Sequence, residues 1–289
     1  MERGSKWRLF FKIILILFII IAGVLLYARY IETRSFEVRE YKIVKEDLSK
    51  RFHGLKIVHL SDIHFGRVTF KEDLDKIVQK MNLIKPDIVV FTGDLIDQDT
   101  IITENIKKDL IASMSNIKAN IGKFAVSGNH DFYNEDFDLL IDSCGFTNLN
   151  DKYDTIYIDK DNYIFLGGMS TNSYGEKNVV QKMDKMNNYL YKTKKSPSFS
   201  ILLMHEPDFV DEIDSSLFNM VLSGHSHAGQ IRLPFVGGLI YPKYAQKYHD
   251  SYYKINDTDL YISNGIGTSV VNFRLLNRPS FNFYRLVNY

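Results

Sequence analysis

The sequence predicts an α/β fold preceded by a membrane-spanning helix. Two features predict it: a long apolar run near the N-terminus and, from Leu55 onward, short apolar runs of strand length that alternate with stretches of helical spacing. With 289 residues, 45% of them hydrophobic and 25% charged, the chain can hold one large globular domain with a sizeable core. We expect residues 1–34 to form an anchor with a basic flank and residues 35–289 to form one domain.

Residues 9–27 are almost wholly apolar, which is about the length needed to span a bilayer. Arg3, Lys6, Arg8 and Lys12 crowd the N-terminal side, so the positive-inside rule predicts a cytoplasmic N-terminus and an extracytoplasmic domain in the cell membrane. The alternative is a cleaved signal peptide. An uncleaved anchor is favoured because large residues stand where a cleavage site requires small ones, at Ile20 and Leu26.

The charge of the chain is unevenly distributed. Residues 1–34 carry a net charge of +4 and the whole chain +1, so the remainder carries −3. A mildly acidic body lacks the basic stripe that neutralises phosphates, which disfavours nucleic acid as a partner. The single cysteine, Cys144, excludes an intramolecular disulfide and a zinc knuckle, and we expect it to be buried at a helix end.

The order of elements follows from hydrophobic periodicity. Residues 29–54 alternate enough for an edge strand that leads away from the membrane. Helical faces are predicted by Phe70, Leu74, Ile77, Val78 and Met81, by Ile106, Leu110, Ile111 and Met114, and by Val179, Met183, Met186 and Leu190 within the polar stretch 171–198. Strands are predicted at residues 55–60, 87–91, 123–126, 163–166, 200–204 and 220–222.

Five polar clusters follow strand-like runs, at residues 61–64, 93–94, 128–131, 205–207 and 224–227. Ligand sites lie at the carboxyl ends of such strands. Each cluster alone has a structural explanation: Asp62 suits a helix cap, Gly93-Asp94 a turn, and His205 a hydrogen-bonded core position. Together they hold five of the eight histidines beside carboxylates and glycines, which favours a shared site.

The chemistry of these clusters points to a dinuclear metal centre. In His225-Ser226-His227 we expect an extended or loop backbone to direct the two rings to two different ions that share one bridging group. Imidazole, carboxylate and amide ligands without thiolate suit Mn, Fe, Co, Ni or Zn, with Mn favoured. Two such ions about 3.5–4 Å apart clamp the attacking and leaving oxygens of a phosphoryl group, and a bridging hydroxide becomes the nucleophile.

The ordered motifs Asp-x-His, Gly-Asp, Gly-Asn-His-Asp, His and Gly-His-x-His resemble the calcineurin-like metallophosphoesterases. The segments 60–64, 224–234 and 264–269 resemble the membrane-associated YkuE/YaeI-type branch. The resemblance runs from about Leu55 to the C-terminus. It implies a four-layer αββα sandwich, in which two mixed sheets lie face to face with helices outside.

The resemblance also implies roles for individual residues. One ion would be held by Asp62, His64, Asp94 and His227, and the second by Asp94, Asn129, His205 and His225, with Asp94 bridging. His130 would be the catalytic residue, as general acid or as stabiliser of the leaving oxygen, with its ring oriented by Asp131. We expect supporting or structural roles for Asp97, His59 and Glu206. Surface positions are expected for His53 and His249. We expect Arg274 to contact phosphate or to form a surface salt bridge.

Two functions follow as hypotheses. The first is a membrane-anchored, dinuclear-metal-dependent hydrolase of phosphodiester or pyrophosphate bonds, whose substrate is lipid-linked or envelope-associated and whose other partner is the bilayer itself. The second is a non-catalytic surface protein that binds metal or a phosphorylated polymer on the same fold. The first is favoured because neither a ligand nor the acid is missing. No protein partner is inferred.

Overall fold

The computed structural model describes residues 2–45, 48–133, 136–171 and 179–288. Its elements follow one another along the chain as a long helix, a mixed series of strands and helices, and a C-terminal strand. The helices are α1 Glu2–Leu26, α2 Lys71–Ile84, α3 Glu104–Met114, α4 Phe137–Ser143 and α5 Val179–Lys192. The strands are β1 Glu37–Val44, β2 Lys56–Leu60, β3 Ile88–Phe91, β4 Gly122–Ala125, β5 Thr147–Asn148, β6 Lys152–Tyr157, β7 Tyr163–Gly168, β8 Phe199–Leu203, β9 Met220–Ser223, β10 Arg232–Leu233, β11 Gly237–Gly238, β12 Tyr252–Ile255, β13 Thr258–Ile262 and β14 Ser280–Val287.

These strands form two mixed six-stranded sheets. The first has the order β1-β14-β2-β3-β4-β5, and the second has the order β12-β13-β9-β8-β7-β6. In the first sheet β14 runs antiparallel to β2, whereas β2, β3, β4 and β5 are parallel. In the second, β7, β8, β9 and β13 are parallel, and β6 and β12 are antiparallel to their neighbours. The edge strand predicted within residues 29–54 is confirmed as β1.

The two sheets pack face to face because their strands are apolar on both sides. Along β3, Ile88 and Val90 face the core between the sheets, whereas Val89 and Phe91 face the helices. This is the period of two expected for a strand buried on both faces. The outer face of the first sheet packs on α2, α3 and α4, and that of the second packs on α5. The predicted four-layer αββα sandwich is confirmed.

Local signals explain where the helices begin and end. The Thr103 hydroxyl accepts a hydrogen bond from the Ile106 backbone N–H, 3.3 Å away, and caps α3. Lys85 takes a left-handed conformation at the end of α2, and Pro86 after it prevents the helix from continuing. Within the predicted stretch 171–198, α5 is confirmed and packs on the second sheet through Met183 and Met186, while residues 172–178 lie outside the described part.

The N-terminal helix stands apart from these layers. The span Ser5–Arg34 is long and apolar enough to cross a membrane, by length and composition. Its C-terminal end is tied to the domain, because the Arg274 backbone N–H donates to the Ala28 carbonyl (3.0 Å) and the Asn277 N–H donates to the Glu32 carboxylate (2.7 Å). Ala28 and Glu32 are buried, so the helix leaves the domain at a packed junction.

Candidate metal centre

The site lies where the carboxyl ends of strands from both sheets meet. Parallel neighbouring strands end at the same edge, so the loops after β2, β3 and β4 converge, and those after β8 and β9 face them across the gap between the sheets. These loops carry the metal ligands expected from the sequence: Asp62 and His64 after β2, Asp94 after β3, Asn129 after β4, His205 after β8, and His225 and His227 after β9.

One group of donors forms around His64. Its Nε2 lies 3.1 Å from His227 Nε2 and 3.5 Å from Asp94 Oδ2, and His227 Nε2 lies 3.4 Å from Asp62 Oδ1. All four side chains are buried. Asp62, His64 and His227 therefore point donor atoms into one small volume and could hold a metal ion.

A second group forms around His205. Its Nε2 lies 3.2 Å from Asp94 Oδ2 and 3.2 Å from Asn129 Oδ1, and its ring centroid is 4.9 Å from that of His225. Asp94, His205 and His225 bring their donor atoms close enough to hold an ion. Because Asp94 Oδ2 approaches both His64 and His205, its carboxylate joins the two groups.

The backbone of the donor loops is strained. Left-handed φ angles are uncommon for residues other than glycine and cluster at functional sites. Here five of the seven expected ligands take φ values between 45° and 67°: Asp62, His64, Asp94, His225 and His227.

Two glycines are required by the close approach of these loops. A Cβ atom on Gly128 would lie 2.3 Å from Asp94 Oδ1, and one on Gly224 would lie 2.4 Å from Asp62 Oδ2. Neither neighbour can move without moving a candidate ligand. The glycines of the Gly-Asn-His-Asp and Gly-His-x-His motifs therefore provide the space in which the carboxylates sit.

Backbone carbonyls orient two of the rings. His205 Nδ1 lies 2.6 Å from the Thr92 carbonyl, and His225 Nε2 lies 2.8 Å from the Lys243 carbonyl. Since a carbonyl only accepts, each of these nitrogens carries a proton, and in the neutral ring the other nitrogen has the lone pair. This is the arrangement that a ligating imidazole needs.

Asp97 supports His64. Its Oδ2 lies 3.2 Å from His64 Nδ1, and both buried atoms otherwise lack a hydrogen-bond partner in the described residues. Burial alone would raise the pKa of Asp97, but the His64 ring beside it lowers that pKa to about 2. Asp97 thus stays a carboxylate beside the ring, which fits the supporting role expected for it.

His130 faces the cleft next to Asp94. Its Nε2 lies 4.0 Å from Asp94 Oδ2, and its Nδ1 accepts a hydrogen bond from the Gln98 backbone N–H at 3.0 Å. The neutral ring therefore carries its proton on Nε2. His130 also forms a group with His64 and Asp94 that is close enough to hold a metal, so its distances alone do not separate a ligand from a proton donor.

The expectation that Asp131 orients the His130 ring is wrong. The Asp131 carboxylate accepts hydrogen bonds from the backbone N–H groups of Asp94 (2.7 Å), Leu95 (2.9 Å) and Gly128 (2.9 Å). The Nδ1 atom of His130 instead accepts from the Gln98 backbone N–H. Asp131 holds the Asp94 loop in place, and the carboxylate near His130 Nδ1 is that of Asp97, at 3.8 Å.

Charge is concentrated at the two groups. Burial alone would raise the pKa of Asp94, but His205 and His130 lower it well below its usual value. Burial and the nearby Asp94 carboxylate raise the pKa of Asp131 to about 7. Burial would lower the pKa of His205, whereas Asp94 raises it well above the ordinary value. The Asp94 carboxylate therefore favours a positive charge beside it, which a bound metal cation would supply.

Arg274 has neither of the roles expected for it. It is fully buried, and its guanidinium donates to the carbonyls of Asn264 (2.8 Å), Gly265 (3.1 Å) and Gly267. Its Nη2 also lies 3.4 Å from His227 Nδ1. Arg274 therefore shapes the loop behind the His64 group and does not reach the cleft.

The remaining polar residues mostly have the roles expected for them. His59 is a core residue whose Nε2 lies 2.8 Å from the Thr92 hydroxyl, and burial lowers its pKa to about 3. Glu206 is buried and bonded to the Thr171 hydroxyl. His53 is exposed, and half-buried His249 stacks on Tyr241. Cys144 is buried at the end of α4, as expected.

A cleft of about 570 Å³ opens over the two groups. His130, His225 and His227 lie at its base, and Arg67 and Gln98 line its wall. The sequence did not single out these last two. Gln98 acts through its backbone N–H, which leaves no side-chain signal, whereas Arg67 follows the Asp-x-His motif by three residues and could have been noticed there.

Known proteins resemble this chain over most of its length. The metallophosphoesterase YkuE of Bacillus subtilis is 32% identical over 263 residues, covering 90% of this chain and 88% of that protein. A transmembrane protein with a metallophosphoesterase domain from Danio rerio is 28% identical over 251 residues, covering 84% of this chain and 55% of that protein. The structure of the NAD nucleotidase of Haemophilus influenzae superposes with a TM-score of 0.50 at 17% identity, covering 73% of this chain and 45% of that one, which supports the fold alone.

Residues 55–229 match the family described as calcineurin-like phosphoesterases. The matched region begins at the start of β2 and ends just after the His-x-His motif, so it contains every loop that supplies a donor to the two groups. Fold, ordered motifs and relatives agree, and the chain belongs to the calcineurin-like phosphoesterase family.

Proposed function

We propose that this phosphoester hydrolase is a membrane-anchored enzyme that cleaves phosphodiester or pyrophosphate bonds at a dinuclear metal centre. The family is dimetal-dependent, and the clustered His and Asp side chains agree with that. The observation that carries the proposal is the position of Asp94, whose Oδ2 lies 3.5 Å from His64 Nε2 and 3.2 Å from His205 Nε2. A single carboxylate between two donor groups is what a bridging ligand requires.

The donor atoms fit first-row divalent ions. Ligands at about 2.0–2.2 Å from one ion lie roughly 3.0–3.5 Å from one another. The donor pairs around His64 and His205 fall between 3.1 and 3.5 Å. We assign one ion to Asp62, His64, Asp94 and His227, and the other to Asp94, Asn129, His205 and His225. Mn is the favoured ion, with Fe, Zn, Co and Ni as alternatives.

When bound, the two ions would supply a water-derived nucleophile and stabilise charge on the phosphoryl oxygens. His130 would act beside them and not as a ligand. Its Nδ1 is occupied by the Gln98 N–H, which leaves Nε2 with a proton and with access to the cleft. That proton would be donated toward the oxygen of the leaving group, as a hydrogen bond or as a complete transfer. Asp131 would keep Asp94 in position by holding its backbone.

Membrane association is indicated by one apolar helix near the N-terminus and by relatives described as transmembrane proteins. We propose that residues 1–34 are retained as a single-pass anchor, with the N-terminus in the cytoplasm and residues 35–289 outside. Trp7 and Tyr27 lie 20 positions apart in sequence, which corresponds to roughly 30 Å of helix. Aromatic residues at that spacing suit the two interfaces of a bilayer.

The test is hydrolysis by the purified full-length chain, with metal analysis of the same sample. We expect two divalent ions per chain and faster cleavage of phosphodiesters or pyrophosphate-linked compounds than of monoesters. A preference for monoesters would contradict the substrate class. Bound phosphopolymer without turnover would instead support the non-catalytic hypothesis, which the family relationship disfavours.

A further inference from the structure

An exposed apolar surface flanks the mouth of the cleft. It comes from two segments, the β10–β11 hairpin with the residues after it and the loop that precedes β14. Ile240 and Val270 are 79% and 82% exposed, and the side chain of Phe235 is fully exposed. Grouped apolar side chains of this size are uncommon on a surface that meets only water. We call this surface the apolar rim: Phe235, Val236, Leu239, Ile240, Val270 and Leu276.

Three residues of the apolar rim are held in strained backbone conformations. Phe235, Val270 and Leu276 have φ values of +67°, +54° and +52°. This region favours glycine or asparagine, and a β-branched residue there is an outlier. Burial would normally offset the strain of such bulky apolar residues, yet these side chains are exposed. Packing of these side chains within the chain offsets little of the backbone strain. The strain therefore points to a contact of these side chains outside the chain.

The apolar rim adjoins the end of the N-terminal helix. Arg274, in the loop that carries Val270 and Leu276, bonds through its backbone N–H to the Ala28 carbonyl. The same loop is joined to the hairpin, because the Arg232 N–H donates to the Leu275 carbonyl at 2.8 Å. A short chain of hydrogen bonds therefore leads from the helix through the loop to the hairpin.

Side chains of the kind found at lipid headgroups lie at the end of the apolar helix, where it joins the domain. Tyr27 and Tyr30 are 38% and 60% exposed at the end of the apolar helix. Arg34 and Arg278 are exposed close to the same junction. Amphipathic rings and cations beside an apolar surface suit the phosphate and acyl boundary of a bilayer. A surface that contacts a second copy of the chain would require neither the aromatic rings nor the cations.

We propose that the apolar rim docks into the headgroup region of the bilayer and holds the mouth of the cleft against the membrane. The inference rests on the proposed anchoring and deepens it. Leu239, Ile240 and Val270 belong both to the apolar rim and to the wall of the cleft. An amphiphilic phosphoester in the outer leaflet would therefore reach the metal centre with its apolar chain against this wall.

The test is the depth of spin labels on the full-length chain in vesicles of phosphatidylethanolamine and phosphatidylglycerol. Labels are placed at Phe235→Cys and, as a second variant, Val236→Cys. The native Cys144 does not compete, because it is buried and burial raises the pKa of its thiol to about 12. Ile16→Cys reports on the anchor, and Leu139→Cys, 68% exposed on α4, reports on a surface away from the junction.

We expect the labels at 235 and 236 to collide several-fold less often with a water-soluble nickel chelate than the label at 139, and more often with oxygen. Suppose that the label at 16 lies in the bilayer while the labels at 235 and 236 collide with the nickel chelate as often as the label at 139. Docking is then wrong, and the proposed anchor is supported. If 235 and 236 are shielded but 16 is not, docking stands and the anchor fails. Dipolar broadening between labels at 235 would assign the surface to a second copy and overturn the inference.

Activity supplies a second, independent readout. Val236 lies outside the cleft, so Val236→Asp should leave hydrolysis of soluble bis-p-nitrophenyl phosphate within twofold of wild type. The same change should lower hydrolysis of hexadecyl p-nitrophenyl phosphate held in anionic vesicles at least fivefold, because the new carboxylate opposes docking. Leu139→Asp is the matched control and should change neither rate. Equal rates for wild type and Val236→Asp on the vesicle substrate would overturn the inference.

Discussion

At the scale of single residues, Asp94 is the point where the two donor groups meet. Asp94→Asn keeps the size of the side chain and removes the charge that would bridge two ions. We expect metal content to fall below two ions per chain, with hydrolysis reduced about 100-fold or more, because a neutral amide is a poor bridge between cations. Metal analysis and turnover on the same sample check this.

The matched control for that change is Asp142→Asn, an exposed aspartate at the end of α4. It should keep both metal and activity. Two tightly bound ions in Asp94→Asn would show that the bridge lies elsewhere.

The position of His130 is compatible with two roles, metal ligand and proton donor, since it lies near the His64 group and also faces the cleft. We expect His130→Ala to lower kcat about 100-fold to 10,000-fold, the range for losing a positioned proton donor. Metal content should stay near that of wild type, because all seven proposed ligands remain. Loss of an ion together with activity would make His130 a ligand. The exposed His53, replaced in the same way, should alter neither quantity.

At the scale of elements, the sequence predicted the strands that carry the site but not β14, which lies between β1 and β2 in the first sheet. Strands β2, β3, β8 and β9 fall within about one residue of their predicted positions, because continuous apolar runs end at polar clusters. Strand β14 was not predicted, since buried Ser280 and Asn282 interrupt its apolar pattern. Burial of these polar groups depends on β1 and β2 on either side, which no local pattern reveals.

For the site, too, the sequence predicted some features and not others. The types of residue in the five clusters predicted which side chains come together, because chemistry and strand ends are both local properties. The role of Asp131 could not be read in this way. Its carboxylate bonds to backbone N–H groups of the Asp94 loop, 36 and 37 positions earlier in the chain, and adjacency to His130 in sequence suggested a different partner.

The loop between β13 and β14 depends on Gly265, which has a φ of +72°. An added Cβ would lie 2.7 Å from Asp62 Cβ, so Gly265→Ala combines a backbone penalty with a clash. Gly54→Ala is the matched control, with a φ of +86° and open space around the added atom. We expect the control to cost about 1–2 kcal/mol of unfolding free energy and Gly265→Ala about 1–3 kcal/mol more. Denaturant unfolding of chelator-treated protein measures both, and equal losses would remove the argument for close approach.

At the scale of the whole molecule, the proposed orientation can be read from two engineered cysteines. Ser5→Cys lies at the start of the apolar span, and Asp154→Cys is exposed on β6. An impermeant thiol reagent added to intact cells should label position 154 at once and position 5 only after lysis. The opposite pattern would place the domain in the cytoplasm and reverse the positive-inside argument.

Metal should stabilise the whole domain, because the ligands come from loops of both sheets and the ions bind only when the sheets are assembled. A ligand at 100 times its dissociation constant adds about 2.7 kcal/mol, which for a domain of this size corresponds to a rise of roughly 5–10 °C in Tm. We therefore expect a chelator to abolish hydrolysis of a chromogenic phosphodiester and to lower Tm by that amount, and Mn to restore both. Asp94→Asn should show a smaller shift, since it binds less metal to begin with. Undiminished hydrolysis by the chelated protein would contradict the metal-dependent mechanism, whereas lost activity with an unchanged Tm would mean that the ions do not bind the folded domain in preference to the unfolded chain.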